Sequence, residues 1–196
     1  MHITKSQWTI IIVNAVYLIC FGIYYIMKKN YEFMIYIGIV LFFAVLIGLS
    51  IEKVKYTNGV LWGLTAWGFF HMAGGSFPYK DGRWYDTILI PISESYQIFK
   101  YDQAIHIYGF FIATLVVWQL LKPILKKDID KWTALSIVVV MAGLGFGALN
   151  EIVEFGATLV MPNNGVGGYI NTSLDLVSDI IGAIIAMVVI YIKERK

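Results

Sequence analysis

Six stretches of this chain are mostly apolar over about the length of a bilayer crossing: Trp8–Met27, Phe33–Ile51, Gly59–Phe77, Asp102–Leu121, Trp132–Met161 and Leu174–Ile192. A helix needs about 20 such residues to span the hydrocarbon. The pattern therefore predicts an all-α polytopic membrane protein, a six-helix transmembrane bundle forming one domain over residues 1–196. Hydrophobic residues make up 59% and charged residues 14% of the 196, against about 45–50% and about 25% in soluble domains. A chain this short has no interior large enough to hide the excess, and the same balance excludes disorder. The fifth stretch is longer than a crossing requires, so it tilts, breaks or extends past the membrane. The first has no small-residue cleavage site before Lys28 and Lys29, and reads as a retained helix rather than a signal peptide.

An even number of crossings puts both termini on one side. Lys5, Lys53, Lys55, Lys122, Lys126, Lys127, Lys131, Lys193, Arg195 and Lys196 fall on that side, and Lys28, Lys29, Lys80, Arg83 and Lys100 on the other. The positive-inside rule makes both termini cytoplasmic, in a cell membrane. The net charge of +2 is spread without a basic arm, so nucleic acid is excluded as a partner. Cys20 is the single cysteine and cannot form an internal disulfide. The oligomeric state leaves no mark in the sequence.

Two connections stand out. Pro78–Tyr101 carries Pro78, Gly82, Pro91 and an apolar run after Thr87, and reads as an interfacial or re-entrant element. Pro162–Ser173 is uncharged and Gly-rich, and reads as a flexible lid or turn. Gly143 with Gly147, and Gly59 with Gly63, make small-residue faces suited to close helix packing.

Ionisable residues inside a span are costly and mark an interior or a water-filled cavity. His71 lies in the third span, Asp102 and His106 open the fourth, and Asn150, Glu151 and Glu154 come late in the fifth. Asp175 and Asp179 come early in the sixth, with Asn171 just before it. In the predicted orientation these fall in the outer half of the membrane. Asp102 and His106, like Asp175 and Asp179, are four residues apart, and Glu151 and Glu154 are three apart, so each pair shares a helix face.

Carboxylate-plus-histidine sets on facing helices are how helical bundles hold metals, and oxygen with imidazole donors suits Zn, Mn or Fe. The predicted metal set is His71, Asp102, His106, Glu151, Glu154 and Asp175, with Glu151, Glu154 and Asp175 also the candidates for acid–base catalysis. The plain alternative for Asp102 and His106 is a hydrogen-bonded clamp between helices. Asp179 reads equally as a member of the functional group or as a protonated side chain hydrogen-bonded across helices.

Four patches resemble the YjdF-like family of integral membrane proteins and, more distantly, VanZ-like proteins. His71-Met-Ala-Gly-Gly-Ser-Phe-Pro-Tyr79 is similar to that family's HxxGxxYxY patch, and Tyr101-Asp-Gln-Ala-Ile-His106 with Gly109 to its YDRxxH…G patch. Asn150-Glu-Ile-Val-Glu-Phe155 resembles YExxEW. Asn171-Thr-Ser-Leu-Asp175 with Gly182-Ala183 resembles DTxxDMxxxxxGA. Gln103 stands where the family has Arg and Asn171 where it has Asp, and Asp179 lies outside its patches. The VanZ likeness implies envelope or lipid substrates.

The functional expectation is metal-assisted or acid–base chemistry on a lipid or lipid-linked substrate. A proton- or cation-coupled carrier using the same carboxylates is the alternative, and a structural membrane subunit the third reading.

Overall fold

The computed structural model describes residues 3–93, 95–125, 129–161 and 165–195. Among them are six α-helices: α1 (Lys5–Lys28), α2 (Tyr31–Val54), α3 (Asn58–Ser76), α4 (Tyr101–Leu121), α5 (Trp132–Val160) and α6 (Tyr169–Glu194). All but α3 are long and apolar enough to cross a membrane. The protein is an all-α polytopic membrane protein. Large apolar side chains such as Ile19, Phe42, Leu49, Ile152 and Val188 face outward along these helices, which lipid tolerates and water does not.

Local sequence sets the helix ends. The Thr4 side chain and Gln7 form a capping box that starts α1, satisfying two backbone donors that the first turn leaves orphaned. Lys29 takes a left-handed conformation (φ 54°) to end α1, and the Asn30 side chain accepts from Phe33 N at 3.2 Å to open α2. Of the predicted basic flank, Lys126, Lys127 and Lys196 lie outside the described residues, as do Pro162, Asn163 and Asn164 of the Gly-rich connection.

The Pro78–Tyr101 connection contains paired strands. β1 (Pro78–Tyr79) and β2 (Gly82–Arg83) pair antiparallel, a short 3-10 turn covers Trp84–Asp86, and β3 (Ile88–Ser93) pairs antiparallel with β4 (Ile98–Lys100). The β-branched residues around Pro91 favour extended backbone, and the proline is tolerated because this two-stranded ladder is all edge.

The chain divides into two compact units, Met1–Thr87 and Ile88–Lys196. In the first, polar contacts join α1 to α3. Tyr25 Oη donates to Met72 O at 2.6 Å and accepts from Ser76 Oγ at 2.6 Å. Asn14 Nδ2 donates to Thr65 Oγ1 at 2.7 Å. Lipid offers no hydrophobic drive between helices, so such bonds and close backbone approach carry the association.

In the second unit α4, α5 and α6 pack as a trio. One end is an apolar core of Trp118, Val139, Met187 and Ile190, closed by Glu194, which accepts from Trp118 Nε1 at 3.1 Å and Lys122 Nζ at 2.6 Å. Towards the other end small residues bring the helices together. A Cβ on Gly182 would sit 2.2 Å from Ile107 O, and one on Gly143 would overlap Thr114 Oγ1. The Gly143–Gly147 face therefore packs as its spacing predicts. Gly59 does not repeat this, since a Cβ there meets nothing within 4 Å.

Candidate metal centre

Three helix ends converge at the polar end of the second unit. Asp102 and His106 lie in the first two turns of α4, Glu151 and Glu154 in the later part of α5, and Asn171, Asp175 and Asp179 in the first three turns of α6. At about 1.5 Å per residue, Asp179 lies on the order of 15 Å along α6 from its start. His106, Glu151 and Glu154 are buried, and Asp175 and Asp179 have no exposed surface.

His106 is the centre of the cluster. Its Nδ1 is 2.8 Å from Asp179 Oδ1 and its Nε2 is 3.9 Å from Asp102 Oδ1. The first is a hydrogen bond and the second exceeds that range. The bond holding the imidazole thus comes from Asp179 on α6, a clamp between helices, while Asp102 and His106, four residues apart on α4, make no hydrogen bond to each other. Asp179 reaches this position because Gly147 on α5 leaves room, a Cβ there falling 2.2 Å from Asp179 Oδ2.

Asn171 ties the carboxylates together. Its Nδ2 contacts Asp175 Oδ2, Asp102 Oδ2 at 3.4 Å and Val166 O at 3.4 Å. Its Oδ1 accepts from Lys100 Nζ at 3.0 Å. Lys100 is the cap residue preceding α4, where Gln103 Oε1 accepts from the backbone N of Phe99 and Lys100. On α5, Asn150 Nδ2 donates to Glu154 Oε1 at 2.9 Å.

Several acceptors are left over. Both Glu151 carboxylate oxygens, Asp175 Oδ1 and Asp179 Oδ2 are buried without a hydrogen-bond partner among the described residues. Asn150 and Thr172 are polar side chains beside the Glu151 carboxylate. Buried polar atoms are nearly always paired, because an unpaired one costs about 1–3 kcal/mol. Two trios each bring one ligand atom per residue within 4.8 Å of the others: Asp102, His106 and Asp175, and His106, Glu151 and Asp179.

Five of the six predicted metal residues, Asp102, His106, Glu151, Glu154 and Asp175, thus lie at one end of the second unit. His71 lies in the first unit, where Tyr85 Oη meets its Nδ1 at 2.5 Å and donates to its carbonyl at 3.0 Å. Phe33, Tyr36 and Trp67 ring the same imidazole. Asp179, Asn171 and Lys100 were not in the predicted set. The signal for two of them was the stripe Asn171–Asp175–Asp179, spaced by four and running down one face of α6.

The model of the predicted membrane protein family DUF2238 matches residues 7–196. The chain belongs to the DUF2238 family. A protein from Thermotoga maritima, itself named as an uncharacterized protein, is 33% identical over 102 residues. That match covers 50% of this chain and 51% of the relative, so it spans about half the length of each. No solved structure matches. This DUF2238 chain therefore sits in a lipid bilayer and carries a buried group of His, Asp and Glu side chains with metal-ligating atom types.

Proposed function

We propose that this protein binds one divalent cation at the polar end of α4, α5 and α6 and uses it on a lipid or lipid-linked substrate. The cation, Zn, Mn or Fe by donor chemistry, is held by His106 with Asp102 and Asp175. Glu151 or Glu154 acts as the acid–base group toward a metal-activated water. One observation carries this reading: the cluster keeps buried carboxylate oxygens without a protein partner around a single imidazole. Among the described residues five acids face one lysine and one histidine, and in a low-dielectric interior that imbalance calls for a bound cation or for protonation. A purely structural clamp would leave those oxygens unexplained.

The whole chain acts in this reading as one transmembrane domain of a cell membrane, with cytoplasmic termini and the site in the outer half. The YjdF-like patches agree with the family assignment, and the VanZ-like likeness points toward envelope substrates. The surplus of carboxylates over what one cation needs also supports a second reading, a proton- or cation-coupled carrier.

Metal analysis of detergent-purified protein tests the proposal. Bound Zn, Mn or Fe approaching one per chain is expected, with loss in His106→Ala. The His106→Ala/Asp175→Asn double variant should lose little beyond either single change, as residues acting as a unit do. A protein that takes up none of the three metals refutes the cation reading. Cation flux in proteoliposomes that stops in Glu151→Gln would favour the carrier.

A further inference from the structure

Resting on the cation reading above, we propose that Asp179, Asn171 and Lys100 position the ligands. They would turn Asp102, His106 and Asp175 into a preorganised three-ligand site with open coordination positions. The imidazole is set from one side. With Asp179 ionised and the imidazole neutral, the carboxylate only accepts, so the 2.8 Å contact between Asp179 Oδ1 and His106 Nδ1 places the ring proton on Nδ1 and the lone pair on Nε2. Nε2 is the nitrogen on the Asp102 side. Asp179 cannot swing away freely, because it is fully buried against Gly147.

The two carboxylates are set from the other side. A lysine ammonium only donates, so its 3.0 Å bond requires the oxygen of the Asn171 amide. The amide nitrogen must then face the acids, and its orientation follows from chemistry. Nδ2 engages the Oδ2 atoms of both Asp102 and Asp175. That leaves Asp102 Oδ1, His106 Nε2 and Asp175 Oδ1, and this last atom is buried without a partner.

One ligand atom from each of these residues lies within 4.8 Å of the others, and His106 Nε2 is 3.9 Å from Asp102 Oδ1, inside the roughly 4.4 Å that two metal–ligand bonds of about 2.2 Å can span. Outer residues that fix a ligating histidine and carboxylate are a general feature of metal sites. Three protein ligands leave room for water and substrate, the pattern of a catalytic rather than a structural centre. Glu151, on the Asp179 side of the ring, then stays outside the ligand set with both oxygens available for proton transfer.

The test uses the full chain in detergent with Mn²⁺ as the probe, read by electron paramagnetic resonance. One ion per wild-type chain is expected, with the modulation of one coordinated imidazole nitrogen. Asp179→Asn and Asn171→Ala should bind it roughly 10–100-fold more weakly at unchanged stoichiometry. His106→Ala and Asp175→Asn should bind none, and Glu151→Gln should match wild type. Wild-type binding with unaltered affinity in both Asp179→Asn and Asn171→Ala overturns this inference and leaves the cation reading standing. Absence of Mn²⁺ binding in wild type overturns this inference, and the cation reading falls with it only when Zn and Fe are refused as well. A measurement on the wild type alone guards against misfolded variants: ¹⁵N spectra of the metal-free protein should show His106 protonated on Nδ1, and an Nε2–H tautomer overturns the assignment.

Discussion

Replacing Gly147 with alanine measures how tightly α6 is seated on α5, and Gly145→Ala, two residues away on the same helix, is its internal control. At position 147 the added Cβ falls 2.2 Å from Asp179 Oδ2, 2.7 Å from its Cγ and 2.9 Å from its Cβ. Rotating the aspartate cannot clear the last of these, and its Oδ1 is held by His106 at 2.8 Å. Either the helices part or the bond breaks. Overpacking costs about 1–3 kcal/mol, and a lost bond to a charged group about 1.5–3 kcal/mol. Removing a glycine from a helix returns about 0.5–1 kcal/mol. The net expectation is destabilisation by about 1.5 kcal/mol, a roughly tenfold change in the folding equilibrium. At position 145 a Cβ meets nothing within 4 Å, so only the favourable part remains, about 0.5–1 kcal/mol of stabilisation. Reversible unfolding in mixed micelles, followed by far-ultraviolet circular dichroism, reads both variants on one scale. Gly147→Ala equal to or more stable than Gly145→Ala would refute the packing of Asp179 on α5.

Topology reporters test the orientation: one at the carboxyl terminus should report cytoplasm and one inserted near Gly165 the opposite side, and the reverse pattern would move the polar end to the inner leaflet. Tyr85→Phe removes the hydroxyl that bridges His71 Nδ1 and His71 O, with an expected cost of about 1 kcal/mol. Combining it with His71→Ala should cost less than the sum of the two, and full additivity would disprove the coupling. Metal content of His71→Ala also decides that residue's place in the predicted ligand set: a fall makes it a ligand, and retention leaves it as Tyr85's partner.

The membrane-spanning helices were legible in the sequence because each is a local property: a run of apolar residues long enough for the bilayer forms its backbone bonds within itself, whatever surrounds it. The pairing of Asp102 with His106, of Glu151 with Glu154 and of Asp175 with Asp179 on common faces was legible for the same reason, since helical spacing alone sets it. The strands between α3 and α4 were not. Their segments are short, carry two prolines and pair only once the chain has turned back, so their periodicity is too brief to read. Within the candidate site, helix-to-helix register decided what spacing could not. The imidazole of His106 turns to Asp179 rather than to Asp102, four residues away, because Gly147 lets α6 come close enough to seat Asp179 against α5. Asn171 and Lys100, 71 residues apart, meet only because the starts of α4 and α6 lie side by side. Sequence determines which groups each helix offers to one end of the bundle. Which nitrogen, which oxygen and which amide face one another depends on the depth and rotation of packed helices, and these are set by contacts between residues far apart in the chain.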